Sequence, residues 1–517
     1  MPEWVVQKFI NWTETNNQHF YLKNYKRYNI IPLSPNCQTP PSLFSIFSGT
    51  SALTHRLLGF DNPTLSADNI LDYKKGFEVW PNHIPLIWDE YLDAEFNVCL
   101  SHIPFVKDDL ELRPCLTYVN GFNKRVLNPL VSPIDEKALI AIGKLNFECT
   151  LLSTAKIELK IKFNGNVLLK KEQELNVFFE VKIPTQLHTY LGFFEVEGLI
   201  KLIFLGSWDT ESSEINHQTG NAAPFIGSSL SEFYRDGQLG KTLKEGGDGF
   251  AEIILQKSCR LLMKRFDEDF LTLVKKGNSQ LIIGYQPAFD LFFHDVIGYL
   301  DLQMSYYTIK HEQFILNLLY DMMVDLDMLM NDFRIIGGKQ AHLIVSSDHG
   351  MKPIDRIIHL NAFLKDMGLI KTNANYKIDP INSICIYHVA ETGLLCFNND
   401  MVSELKYSIQ DIIKLIVEEV HKRCQVMLNI VEMKELQVDS LIFAVGYYVI
   451  PPKGVQLKAS LNKGYCVESL KTGDHTIFSD DDTLRGVMFD LNETVKLKQS
   501  SLETFQIKGL LQNDTLQ

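Results

Sequence analysis

Between residues 156 and 183 apolar and polar positions alternate: KIELKIKFNGNVLLKKEQELNVFFEVKI. A period of two marks strands with one buried face, and Asn164-Gly165 in the middle is a two-residue hairpin signal. The zone from about 135 to 210 therefore predicts an antiparallel sheet. From about 248 the pattern changes. Residues 251–275, 311–332 and 402–423 carry apolar positions at helical spacing and predict long helices. Between them lie short apolar runs, LIIGY (281–285) and HLIVSS (342–347), which predict strands buried on both faces. LFSIFSGTSALTHRL (43–57) reads as a helix opening just after Pro40 and Pro41, and LNAFLKDMGLI as a helix closed by Gly368.

Apolar strands alternating with helices imply a parallel sheet covered on both faces. The expected class is α/β: a parallel-rich central sheet flanked by helices, with a β-rich insertion. Residues 1–130 form the first part of the α/β domain, 131–245 the insertion or cap, and 246–517 the second part with a smaller cap around 370–470.

Sites in such sheets lie at the carboxyl ends of strands, and polar clusters fall there. After LIIGY comes D-L-F-F-H, with Asp290 and His294 four residues apart on one helical face, so that both can chelate one ion. After HLIVSS come Asp348 and His349, whose adjacency in a turn lets them point to different sides and reach two ions about 4 Å apart. His475 follows Gly473 in K-T-G-D-H-T. Each element alone is weak: D-x-x-x-H is common by chance, and an Asp-His pair can be a carboxylate orienting a core imidazole. Together, at strand ends, they read as a metal site, and oxygen and nitrogen ligands without thiolate suit zinc, with manganese or iron as alternatives. Thr39 stands just before a helix start, where free N–H groups and the dipole favour an anion such as phosphate. A zinc-bound hydroxyl loses its proton near neutral pH, whereas in the plainer reading Thr39 only caps the helix.

Charge and cysteine usage narrow the partners. A net charge of −13 argues against a nucleic-acid scaffold, though not against a small phosphorylated substrate at a metal site. Nine scattered cysteines without C-x-x-C read as reduced thiols, and hence the cytoplasm. No stretch is long and apolar enough to span a bilayer, and MPEWVVQKFINWTE shows no signal-peptide pattern.

These motifs resemble the alkaline phosphatase superfamily, in its type I phosphodiesterase/nucleotide pyrophosphatase branch. Thr39 is followed by Pro41, Ser48-Gly49 and His55 at the family's spacing; Y-Q-P-A-F-D-L-F-F-H (285–294) keeps the family's Tyr, Asp and His with the proline displaced and Phe293 for glycine; S-D-H-G-M (347–351) is unchanged; G-D-H (473–475) supplies the last block. The tail, RGVMF followed by SSLETFQIKGLL, is also of the family's type. The resemblance covers roughly 1–90 and 250–510. It implies Thr39 as nucleophile. It implies two zinc ions, one on Asp348, His349 and an N-terminal Asp, the other on Asp290, His294 and His475. Tyr285 is implied as a base-stacking residue, and Asn62, slightly out of register, as a phosphate-oxygen ligand. Pro40 stands where nucleotide-specific members carry an aromatic residue.

The implied N-terminal Asp has no counterpart. The chain opens MPEWVVQKF, which reads like the sequence after the family's Asp-Gly, so the expectation is a start set too late. Glu3 is a substitute candidate, but it precedes a Trp-Val-Val run and reads as a helix start. The expected activity is metal-dependent hydrolysis of phosphoric esters, diesters ahead of monoesters or phosphonates, through a phospho-threonine. The alternative is a degenerate binding protein that keeps the fold.

Overall fold

The computed structural model describes residues 1–512 apart from 33–35, 67–68, 80, 82, 107–112, 120–124, 184–186, 210–226, 277, 339–340, 406, 437–442, 478–480 and 492–499. The end of the β-rich zone lies outside the described residues. The chain forms two compact units.

The first unit comprises Met1–Asp89, Phe293–Glu312 and Lys339–Gln517. One of its sheets has the order Ile344–Ser346, Gly486–Asp490, Lys26–Ile31, Ser501–Glu503. Gly486–Asp490 runs antiparallel to both neighbours, and Lys26–Ile31 pairs parallel with Ser501–Glu503. Tyr28, Ile30, Met488, Leu502 and Ile507 close its core. A larger core gathers Ile358, Phe363, Tyr387, Phe397, Ile416 and Tyr448 from the part of the unit that covers 358–457. The helix expected over 402–423 is two helices, Asn399–Leu405 and Ile409–Cys424. Ser408 divides them: its hydroxyl accepts from the Asp411 N–H at 3.1 Å, and the Asp411 carboxylate accepts from the Ser408 N–H at 2.9 Å, a capping box. Ser408→Ala is expected to cost about 1 kcal/mol, read as a lower urea midpoint.

The second unit comprises Glu90–Phe292 and Gln313–Gly338. It holds an all-parallel sheet, Leu281–Gly284, Val98–Ser101 and Leu116–Val119. The alternating zone forms two antiparallel sheets, one of Lys137–Ile142, Leu145–Ser153, Lys156–Phe163 and Asn166–Glu174, the other built on Val177–Ile183, Leu187–Val196 and Leu199–Asp209. Phe147, Ile157, Leu159 and Ile161 from the first meet Leu191, Phe193, Leu202 and Phe204 from the second in one core. The hairpin turns at Asn164 (φ 49°) and Gly165 (φ 82°), both left-handed as a type I′ turn requires. On the outer face Glu158 pairs with Lys160 and Lys170 at 2.8 Å each, a solvated surface.

The two apolar runs expected to be buried on both sides are edge strands among the described residues. Ile344–Ser346 pairs only with Gly486–Asp490, Leu281–Gly284 only with Val98–Ser101, and Ile282, Ile283, Ile344 and Val345 are half-buried. Apolar content reports what covers the faces of a strand, not what bonds to its edges. No helix among the described residues is long and apolar enough to cross a membrane.

Candidate metal and phosphoester site

Thr39 is the first residue of the helix Thr39–Ser48, with Gln38 at the cap. The helix ends on left-handed Gly49 (φ 71°), and a short second helix, Ala52–His55, follows, so the single helix expected over 43–57 is broken. Pro40 and Pro41 have no N–H, and the Ser42 N–H is spent on the Gln38 carbonyl at 3.1 Å. The anion-binding helix end expected here therefore keeps only the Thr39 amide, and charge for a phosphate must come from elsewhere.

His349 and Asp348 leave the strand Ile344–Ser346 in a turn clamped on the segment 483–487. Ser347 N–H donates to the Val487 carbonyl at 2.9 Å, Gly350 N–H to Leu484 at 2.7 Å and Met351 N–H to Thr483 at 3.0 Å. A Cβ on Gly350 would run into those carbonyls, so glycine is required. The turn aims both side chains at one point: His349 Nε2 lies 3.1 Å from Asp348 Oδ2 and 3.3 Å from Thr39 Oγ1. The divergence expected from their adjacency is not found; carboxylate, imidazole and hydroxyl converge instead.

His475 stacks on His349, with ring centroids 3.9 Å apart and planes at 17°. His294 lies on the helix Ala288–Val296, one turn after Asp290. Each imidazole has its Nδ1 against a backbone carbonyl: His349 on Gly350 at 2.9 Å, His475 on Cys37 at 3.0 Å and His294 on Gly473 at 3.0 Å. Those carbonyls fix the tautomer with the proton on Nδ1 and the lone pair on Nε2. The Nε2 atoms of His294 and His475 then face each other at 3.2 Å as two acceptors. Only a shared proton or a cation reconciles that contact, and the donor set of imidazole nitrogen and carboxylate oxygen fits a divalent transition metal. Gly473 permits the approach, because a Cβ there would strike Met351, Ile297 and the Phe293 carbonyl.

Beneath the imidazoles lies a charge pair that motif reading missed. Asp474 is buried and accepts from Gln456 Nε2 at 2.9 Å and from the Thr476 hydroxyl. Burial alone would raise its carboxyl, but the Lys352 ammonium and the Thr476 hydroxyl hold it below the usual range. Lys352 is fully buried, and its Nζ has no hydrogen-bond partner among the described residues. Burial pulls the ammonium down from its ordinary value while Asp474 opposes the shift. The adjacency of Lys352 to S-D-H-G-M and of Asp474 to His475 was visible in sequence, but not that the two face each other.

Other residues named from sequence have different places. Asn62 is buried, and its side-chain oxygen accepts from the Leu58 N–H at 2.6 Å. Tyr285 sits just past Leu281–Gly284, its N–H on the Ser101 carbonyl at 3.0 Å. Glu3 begins the helix Glu3–Thr15 and lies 3.4 Å from Arg27, away from any ligand role. His55 joins the two short helices, with Nδ1 accepting from the Leu57 N–H at 3.1 Å and Nε2 facing Ser45 Oγ at 3.0 Å. Burial lowers its pKa to about 3. A histidine depressed on folding contributes stability that is intact above its unfolded pKa near 6.5 and lost as pH falls toward 3. Lowering pH from 7 to 5 should therefore cost roughly 2 kcal/mol at this residue, measured as a urea-midpoint difference that shrinks in His55→Gln.

An α/β chain that gathers imidazoles, carboxylates and a threonine hydroxyl in this way has the make-up of a phosphoric ester hydrolase. Residues 213–426 match the family model described as type I phosphodiesterase / nucleotide pyrophosphatase. The match takes in Tyr285, Asp290, His294, Asp348 and His349 and stops short of Thr39 and His475. Phosphonoacetate hydrolase from Sinorhizobium meliloti 1021, solved with phosphonoacetate, is 11% identical with a TM-score of 0.43, over 95% of this chain and 88% of that one. Wild-type alkaline phosphatase PafA is 11% identical with a TM-score of 0.42, over 94% and 88%. Murine ectonucleotide pyrophosphatase/phosphodiesterase 5 is 13% identical with a TM-score of 0.29, over 47% of this chain and 57% of that one. With TM-scores this low, none of the three likenesses bears on function. No curated protein matches the sequence.

Proposed function

We propose that the protein hydrolyses phosphoric diesters, with Thr39 as the attacking group. Asp348 and His349 would hold one divalent cation, and Asp290, His294 and His475 the other, zinc by ligand type. The observation that carries this reading is the meeting of His294 and His475 Nε2 atoms at 3.2 Å, an arrangement of acceptors that asks for a cation. Bound there, the cations would supply Lewis acidity toward phosphoryl oxygens and depress the pKa of a coordinated hydroxyl.

The chain's own groups supply the rest. Thr39 Oγ1 is held 3.3 Å from His349 Nε2 and buried from bulk water. Tyr285 offers a stacking face, and Asn62 offers its amide nitrogen, its oxygen being engaged by Leu58. A monoester's second negative charge calls for a dedicated basic group, and none of the candidate site residues is a lysine or arginine, so the diester is favoured.

The test compares an aryl phosphodiester with the matching monoester, zinc present. Diester turnover at least about tenfold above the monoester is expected; the reverse order would assign a phosphatase. No turnover of either by zinc-loaded protein would leave a binding protein on this fold. His294→Ala should weaken zinc binding by at least about tenfold in equilibrium dialysis.

A further inference from the structure

Two thiols away from this site lie side by side. Cys424 is the last residue of the helix Ile409–Cys424, and Cys466 opens the strand Cys466–Glu468. That strand pairs antiparallel with Lys352–His359, setting Cys466 opposite Ile358 and Glu468 opposite Arg356. The Arg356 guanidinium donates to the Cys424 carbonyl at 3.4 Å, which draws the helix end onto the same strand. The preceding residues also meet: the Arg423 guanidinium sits 5.1 Å from the Tyr465 ring centroid. Arg423 is anchored there by Asp366 at 2.6 Å and by Glu419. The helix end and the strand thus set Cys424 and Cys466 at adjoining positions, both as free thiols.

Access and charge differ between the two. Cys424 is buried and Cys466 is partly exposed. Burial pushes the Cys424 thiol up to about 12, with the neighbouring thiol adding to the rise and Arg356 and Arg423 opposing it. Cys385 and Cys396, on paired strands, are both buried, and neither stands opposite the other. Only the pair 424/466 combines adjoining positions, flanking guanidinium groups and one accessible sulfur among the described residues.

We infer that Cys424 and Cys466 form a peroxide-responsive, reversible disulfide. Cys466, the accessible sulfur, attacks one oxygen of hydrogen peroxide as its thiolate. The O–O bond breaks, a first water leaves, and a sulfenic acid remains. Cys424 attacks that sulfur, the S–O bond breaks and a second water leaves. Two thiol sulfurs are oxidised by two electrons in all, hydrogen peroxide is reduced to two waters, and the thiol protons end in the waters. Arg356 and Arg423 oppose the rise of the Cys424 thiol without cancelling it, which makes the buried Cys424 the slower, resolving sulfur. The product ties the end of the helix to the strand that leads to Gly473 and His475.

The test treats the full chain with a few equivalents of hydrogen peroxide and reads intact mass and peptide maps. Loss of two hydrogens, a linked peptide pair containing residues 424 and 466, and reversal by dithiothreitol are expected. Alkylation of both thiols should fall about tenfold. In Cys424→Ser the link disappears and Cys466 is captured by dimedone as the sulfenic acid; Cys466→Ser, at the more exposed position, serves if the first variant does not fold. Unchanged alkylation of both thiols, a gain of two oxygens on Cys466 without a link, or a link to a different cysteine would each overturn the inference.

Discussion

Thr39→Ala is expected to abolish diester turnover, with a fall of at least about a thousandfold in kcat, while zinc content stays unchanged. The reasoning is geometric. Thr39 Oγ1 is one of three polar atoms that converge at the strand end, and its loss removes the attacking oxygen without removing Asp348 or His349. Every Nδ1 contact that orients the imidazoles goes to a backbone carbonyl, none to the Thr39 side chain. The metal content should therefore survive the substitution. Single-turnover kinetics with the diester, beside zinc analysis of the same sample, separates the two effects. Turnover retained within tenfold would remove Thr39 from the chemistry and make water the attacking group. Loss of zinc with loss of turnover would make Thr39 a structural member of the site.

Lys352→Met should destabilise the fold by about 3–5 kcal/mol, the largest stability effect expected of a single substitution near the site. Methionine fills much of the volume, so packing is not the main loss. What remains is the Asp474 carboxylate, buried with Gln456 and Thr476 as hydrogen-bond donors and no counter-charge in place of the ammonium. Removing the carboxylate as well, in Lys352→Met/Asp474→Asn, should restore most of the stability, because a buried pair replaced as a pair leaves no orphaned charge. Urea unfolding of the two single variants and the double variant closes the cycle. A double variant as unstable as the sum of the singles would show that the two residues act independently, and the pairing would be wrong.

Much of the fold was readable from hydropathy. The alternating run at 156–183 and its Asn-Gly turn define antiparallel strands because a strand half in water has a period of two, whatever surrounds it. The helices Phe250–Lys276 and Ile309–Gly337 follow from the same local logic. Where the reading went astray, the deciding contact was local but subtle or lay far along the chain. Ser408 splits a helix through a side-chain cap that competes with an otherwise continuous amphipathic pattern. Among the described residues Leu281–Gly284 and Ile344–Ser346 are sheet edges, because hydropathy carries no information about hydrogen-bonding neighbours.

The site divides in the same way. Residue chemistry and spacing by themselves determined which groups are candidate ligands: Asp290 with His294 one helical turn apart, Asp348 beside His349, His475 after a glycine, and Thr39 at a helix start. Only tertiary structure decided where they aim. It turned Asp348 and His349 toward one point with Thr39, 310 residues earlier than His349, and set His475 Nδ1 on the carbonyl of Cys37, 438 residues away. It also placed Lys352 against Asp474. Spacing constrains side chains within a turn or a strand, over a few residues. The direction of an imidazole lone pair is set by the carbonyl that holds the opposite nitrogen, and for His475 that carbonyl comes from the other end of the chain.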